Sequence, residues 1–391
     1  MELALTPEQH ALQQELREYF AKIVTPEIEE EMATGEMGGP KSKEAIRQMG
    51  KDGWLGIGWP KEYGGQDRTA IEQFIFYDES FRAGAPVPML SMNSVAPTIM
   101  QFGTEEQKKE FLPKILAGEI QFAIGYTEPG SGTDLASLKT KAVRDGDEWV
   151  INGQKVFTSI ADFADYVWLA CRTDPDAPKH KGISMILVPT TNPGFKVTPI
   201  KIMGGAATNA TYYEDVRVPV TNLVGELNRG WDLIVNQLNR ERVALAPPGM
   251  AERQYQGVLK WARETKLAGS SLRVIDQQWV QVNLARVKAK LEYLKLINWQ
   301  VAWQADNGIL DVAASSSTKV FGTEFFCEAY RLLLEVMGPP GTIKRGSPEA
   351  RLRGGLERAY QGTLILTFGG GTNEVQRDLI AVFGLKMPRS L

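Results

Sequence analysis

A chain of 391 residues is too long for one small core and implies two or three packed units. Its 44 lysines and arginines against 47 aspartates and glutamates leave a net charge of −3, so neither a nucleic acid nor a membrane surface is implied as a partner. Cys171 and Cys327 are far apart, which excludes a zinc site built on paired cysteines and argues against a disulfide framework; both sit in apolar surroundings and read as core residues.

The N-terminus, MELALTPEQH, has neither the basic nor the apolar region of an export signal, and no run of about eighteen apolar residues occurs, so a cytoplasmic enzyme without a membrane span is expected. Residues 1–118 read as a helical domain. Thr6 caps a first helix, with Pro7 at its first position and Gln9 completing a capping box. Leu12, Leu16, Phe20 and Ile23 follow as one apolar stripe. Gly53 to Gly65 is a turn-rich break. A second helix carries Phe74, Tyr77 and Phe81, and a third, from Glu105, stops at Gly118.

Residues 119–225 change to short β-forming runs. Asp145-Gly146 and Asn152-Gly153 read as hairpin turns, and Tyr166 to Ala170 and Ile183 to Val188 as strands. Helices resume at Trp231 and fill 226–391, with long amphipathic patterns from Gln277 to Asn307 and from Ser315 to Met337 that suit a four-helix bundle. Leu267 to Ile275 reads as a loop. The expected fold class is therefore α+β and multidomain: an N-terminal helical domain, a middle β-barrel or sandwich, and a C-terminal bundle.

Chemistry concentrates in four segments. YTEPGSGTD, Tyr126 to Asp134, packs hydroxyls at Thr127, Ser131 and Thr133 around Gly130 and Gly132, which suit close backbone approach or positive φ. Successive N–H groups in such a loop can bind an anion, so a phosphate-bearing cofactor is expected, although a plain glycine turn between strands fits the same residues. GQKVFTS (Gly153 to Ser159), LNRERVALAPPG (Leu238 to Gly249) and TFGGGTNEVQRD (Thr367 to Asp378) follow in order.

These four segments together resemble the acyl-CoA dehydrogenase family over essentially the whole chain, most nearly its actinobacterial members that act on CoA thioesters of steroid side chains. The resemblance implies FAD as cofactor and α,β-dehydrogenation of an acyl-CoA. Such a reaction needs a base over Cα, donors for the thioester oxygen as enolate charge develops, and a flavin close to Cβ. Some members carry the base in an ER pair on the helix that lines the substrate cavity, which here gives Glu241. Val243, Leu245 and Ala246 beside it would raise its pKa and improve it as a base, whereas an RER run by itself fits a solvated helix face. Others carry a glutamate before a C-terminal Gly-Thr, where this chain has Gly370. A glycine holds no proton acceptor, but its N–H can still donate to the thioester oxygen.

By the same resemblance Arg242 lies near the CoA portion and Asn239 near the pantetheine arm, Arg242 fitting equally a surface ion pair. Tyr126, Thr127, Gly132 and Thr133 would cradle the cofactor. Phe157, Thr158 and Ser159 match the segment beside the isoalloxazine, Phe157 standing where many relatives have tryptophan. Thr372 and Glu374 match cofactor-side positions. His10 and His180 lack a nearby serine nucleophile, so a hydrolase triad has no base, and both read as surface residues.

One half of the family's flavin site departs from the pattern. Homotetrameric relatives bind the adenine half of a neighbour's flavin through an arginine in an R-x-x-F-G segment. In the matching stretch, Leu267 to Ile275, the only basic residue is Arg273, out of place. Glu335, Gly338 and Pro339 stand where a glutamine and two glycines are usual; a carboxylate repels a diphosphate, and proline has no N–H to give. A second, related subunit in an α2β2 tetramer is therefore expected, with an electron-transfer flavoprotein as electron acceptor. A non-catalytic subunit and an oxygen-using flavoenzyme on the same fold remain as alternatives.

Overall fold

In the computed structural model, the described residues are 4–34, 38–204, 207–244, 246–309 and 311–388; the side chains of residues 34 and 238–244 lie outside them. Thr6 starts the first helix as its spacing dictates. Its hydroxyl accepts the Gln9 N–H at 3.2 Å and Gln9 Oε1 accepts the Thr6 N–H at 3.0 Å, ahead of α1 (Pro7–Ile23). Leu12, Leu16 and Phe20 turn into the core, while Ile23 is half-buried. Then come α2 (Pro26–Thr34), α3 (Pro40–Lys51), α4 (Ala70–Ala83), α5 (Ala96–Phe102) and α6 (Glu105–Leu116). The break from Gly53 to Gly65 is built from two short 3-10 turns.

The middle unit is an eight-stranded mixed sheet of β1 (Phe122–Gly125), β2 (Lys141–Asp145), β3 (Glu148–Lys155), β4 (Tyr166–Arg172), β5 (Ile183–Pro189), β6 (Phe195–Lys201), β7 (Ala207–Pro219) and β8 (Leu223–Val224). The order is β6-β7-β3-β2-β4-β5-β8, with β1 added parallel to β4. Asp145-Gly146 turns the β2–β3 hairpin as expected. Asn152-Gly153 does not turn the chain. It lies inside β3, where the register against β7 slips between Ile151 and Gly153. Gly153 is needed there for a bulge: its φ is +156°, and a Cβ would fall 2.5 Å from Thr140 Oγ1.

Beyond the sheet lie α7 (Gly230–Ala244), α8 (Pro248–Glu264), α9 (Gln278–Asp306), α10 (Val312–Met337), α11 (Gly355–Thr363) and α12 (Asn373–Leu379). α10 is central, packing on α7, α8 and α9, and α4 lies across α8 and α9. The Leu267–Ile275 stretch is a loop ending in a 3-10 turn. Buried residues form three clusters: one in the C-terminal bundle, one on one face of the sheet, and one joining the sheet's other face, through Trp168 and Leu187, to the N-terminal helices. Among the described residues no helix is long and apolar enough to cross a membrane.

Candidate active site

β1 delivers the chain to Tyr126, and the loop that follows is anchored from beneath. The Tyr126 hydroxyl donates to Gln237 Oε1 and accepts from Trp168 Nε1 at 3.1 Å. Lys155, the last residue of β3 and wholly buried, donates to the Tyr126 carbonyl at 3.0 Å and to Glu128 Oε1 at 2.9 Å. Glu128 also accepts the N–H groups of Lys139 at 2.7 Å and Thr140 at 2.8 Å. Burial pushes the Glu128 carboxyl up, but the Lys155 ammonium and these donors outweigh it and hold it below the usual range.

The upper side of the loop is open. Among the described residues, the N–H groups and hydroxyls of Thr127 and Thr133, and the Gly132 N–H, meet no protein partner. Gly130 and Gly132 do not use positive φ; they leave space, since a Cβ at Gly130 would meet nothing within 4 Å. Ser131 is not on this surface: it is buried, and its hydroxyl donates to the Asp134 carbonyl at 2.8 Å.

The second segment is tied to the first by the Val156 N–H, which donates to the Thr127 carbonyl at 2.8 Å. Phe157 then adopts φ +57°, a costly conformation for a bulky residue, and the residue is 60% exposed. Ser159 is partly exposed, its Oγ 3.2 Å from Thr208 Oγ1. Thr158 is turned inward instead. Its N–H donates to the Asn209 carbonyl at 2.9 Å and its hydroxyl lies 3.3 Å from Thr211 Oγ1, fully buried, so its side chain is not offered to a ligand.

The fourth segment turns at Gly370 (φ +67°) and Gly371 (φ +89°) before Thr372 caps α12 by accepting the Val375 N–H at 3.3 Å. Lys319, wholly buried on α10, donates to the carbonyls of Gly371 at 2.9 Å and Thr367 at 3.3 Å, and to Asn373 Oδ1 at 2.6 Å. Gln376 Nε2, also buried, donates to the Gly370 carbonyl at 3.0 Å. Glu374 is exposed in the first turn of α12, and its own N–H together with Thr372 holds its carboxyl below the usual range.

Positions 239, 241 and 242 lie on α7, but the side chains of Asn239, Glu241 and Arg242 are outside the described residues. One turn earlier on that helix, Gln237 is fully buried against Tyr126, and its Nε2 has no partner among the described residues. Sequence reading missed Lys155, Gln237, Lys319 and Gln376. Each is a polar residue at an inward-facing position, and pattern alone does not separate a buried lysine from a surface one.

Elsewhere, Arg273 is paired with Asp276 on its own turn, and Glu335 with Arg331, while also accepting from Asn283 Nδ2 at 3.1 Å. His10 and His180 are exposed, His180 edge-on to Trp231. Cys171 is buried, which pushes its thiol up to about 12; Cys327 is half-buried, and both are unbridged. No group of residues among those described has the makings of a metal site.

Open N–H groups and hydroxyls on a glycine loop, an exposed aromatic ring beside them and a second glycine turn fit the donor set a dinucleotide such as FAD requires. A helical layer, a mixed sheet and a helical bundle carrying such a site define a three-part oxidoreductase of the kind that acts on CoA thioesters. Family models agree with that class: the N-terminal domain of acyl-CoA dehydrogenase matches residues 6–119, the middle domain 123–216 and the C-terminal domain 228–385. The chain belongs to the acyl-CoA dehydrogenase family. It is 57% identical over 400 residues, covering all of both chains, to the acyl-CoA dehydrogenase FadE26 of Mycobacterium tuberculosis. It superposes on a chain of the ChsE4-ChsE5 complex from the same organism with TM-score 0.93 and 57% identity, covering 100% of each chain. A chain of the Tcur3481-Tcur3483 steroid acyl-CoA dehydrogenase gives TM-score 0.94 and 50% identity, again over 100% of each.

Proposed function

We propose that this chain is the base-bearing subunit of a heteromeric, FAD-dependent dehydrogenase that desaturates a bulky acyl-CoA, such as a steroid side-chain thioester, at Cα–Cβ. The observation that carries it is the pair of anchored turns at 126–134 and 367–372, whose open N–H groups suit a cofactor and a thioester oxygen. Thr127, Gly132, Thr133, Phe157 and Ser159 hold the cofactor, with Tyr126 fixing the loop below it and Thr372 and Glu374 at its C-terminal side. When bound, FAD supplies the acceptor for the hydride that leaves Cβ.

Glu241 removes the Cα proton as general base. Its place is supported by the family resemblance and by helical spacing: position 241 follows the buried Gln237 by one turn. The Gly370 N–H donates to the thioester oxygen and stabilises the charge that gathers there. Its φ of +67° disfavours a side chain, which agrees with a base carried by the helix and not by this turn. Asn239 and Arg242 bind the pantetheine and CoA portions. Electrons pass on to an electron-transfer flavoprotein.

Two features support a second, related subunit. The adenine-side positions carry Arg273 and Glu335, both committed to local ion pairs. Along α9, Trp279, Val282, Tyr293, Leu296 and Trp303 are exposed at successive steps of 3, 11, 3 and 7 residues, which keeps them on one face of the helix as an apolar seam of the kind that packs against another helix. The experiment is to co-express the chain with its genomic neighbour and assay a panel of acyl-CoA thioesters, from short fatty chains to a steroid side chain. Desaturation of bulky thioesters, with an electron-transfer flavoprotein outpacing oxygen as acceptor, is expected. Stoichiometric FAD on the chain purified alone would remove the heteromer, and rapid reoxidation of the reduced complex by air would favour an oxygen-using enzyme.

A further inference from the structure

A trans peptide plane points its C=O and the N–H of the following residue in opposite directions. Anchoring a carbonyl therefore aims the next N–H. Gln376 Nε2 draws the Gly370 carbonyl toward the interior at 3.0 Å, and Lys319 Nζ draws in the Gly371 carbonyl at 2.9 Å. The N–H groups of Gly371 and Thr372 are thereby turned away from the interior, and like that of Gly370 they meet no protein acceptor among the described residues. Both anchoring side chains are wholly buried.

The choice of lysine has a physical reason. An ammonium has three donors and no acceptor, and here it meets the carbonyls of Thr367 and Gly371 and the Asn373 amide oxygen, which spans the turn from one side to the other. Asn373 is itself fixed, its Nδ2 donating to Thr323 Oγ1 at 3.1 Å and Glu324 Oε1 at 3.2 Å. A charge behind the carbonyls also polarises the planes so that their outward N–H edges become better donors.

Resting on the dehydrogenase function proposed above, we propose that Lys319 and Gln376 are positioning residues: by drawing in the Gly370 and Gly371 carbonyls they aim the Gly371 and Thr372 N–H groups outward and fix the turn from which the Gly370 N–H reaches the thioester oxygen. Neither touches the substrate. Their effect falls on how strongly the thioester carbonyl is polarised.

The test uses the co-expressed complex with Lys319→Met and, separately, Gln376→Met, which removes a single hydrogen bond and decides the matter if Lys319→Met does not assemble. Flavin content is measured first. The infrared band of a carbonyl-13C-labelled enoyl-CoA bound to the oxidised complex is then recorded, with kcat and KM. The expected result is flavin retention, a thioester band shifted back toward its position in water, and kcat lower by about 10- to 100-fold, less than the loss of a donor itself, with KM changed by much less. An unchanged band and kcat in Gln376→Met would overturn the proposal. A wild-type complex without flavin or desaturase activity would instead overturn the dehydrogenase function.

Discussion

Lys155 and Glu128 are ion-paired at 2.9 Å beneath the 126–134 loop, neither more than 8% exposed. The pair ties the loop to β3 and to the start of β2, because the same carboxylate takes the N–H groups of Lys139 and Thr140. Removing one partner leaves a buried, uncompensated charge. Lys155→Met is expected to cost about 3–5 kcal/mol of stability and to release the cofactor. Denaturant unfolding and flavin absorbance of the assembled complex check this; a loss below about 1 kcal/mol would show that the pair does not hold the loop.

Glu241→Gln removes a proton acceptor with little change in volume. In the assembled complex kcat is expected to fall by about 10²- to 10⁴-fold while flavin content stays the same. An unchanged rate would assign this chain a scaffold role and move the chemistry to its partner.

Gly371 has φ +89°, and a Cβ there would lie 2.7 Å from Gln376 Nε2. Gly371→Ala therefore both strains the backbone and pushes away the group that holds the Gly370 carbonyl. A destabilisation of about 1–2 kcal/mol is expected, with a fall in kcat larger than any change in KM. Equal kcat in the variant would detach this turn from the reaction.

Where α4 meets the C-terminal helices, Glu252 on α8 is held by Arg82 and by Lys295. Burial raises its carboxyl, but these two cations more than offset that and bring it from 4.5 down to about 2. A carboxylate lowered in the folded state stabilises the fold above the unfolded value and loses that contribution as protons bind. Stability is expected to fall as pH drops from about 4.5 toward about 2. Glu252→Gln should flatten this part of the profile and lower neutral-pH stability by roughly 2 kcal/mol, as thermal melts across pH would report.

The α9 seam gives a prediction about assembly. Leu296 is 38% exposed and Tyr293 51% exposed in the chain by itself, so Tyr293→Lys with Leu296→Glu should leave the fold intact. Size-exclusion chromatography of the co-expressed pair should then show smaller species than the wild-type assembly. Elution identical to wild type would take α9 out of the interface.

How much was legible in the chain varies by residue. The Thr6 capping box and the stripe of Leu12, Leu16 and Phe20 are local, set by spacings of three and four residues, and they form as read. The Asp145-Gly146 turn is local as well. Asn152-Gly153 has the same local signature and yet sits in a strand, because β7 pairs across it and Thr140 crowds the site where a Cβ would be. That decision is made by a distant segment, and no short window contains it.

The amino-acid sequence by itself determined the helix–sheet–helix order, the glycine loops and the family, since propensity, turn chemistry and motif spacing act between near neighbours. Only the tertiary structure decided which hydroxyls face outward: Thr127 and Thr133 do, while Ser131 and Thr158 turn inward. It also decided that Lys155 and Lys319 are buried clamps, through contacts spanning 29 and 52 residues of chain. A buried charge persists only where several distant acceptors converge on it, and that convergence exists only once the chain is folded.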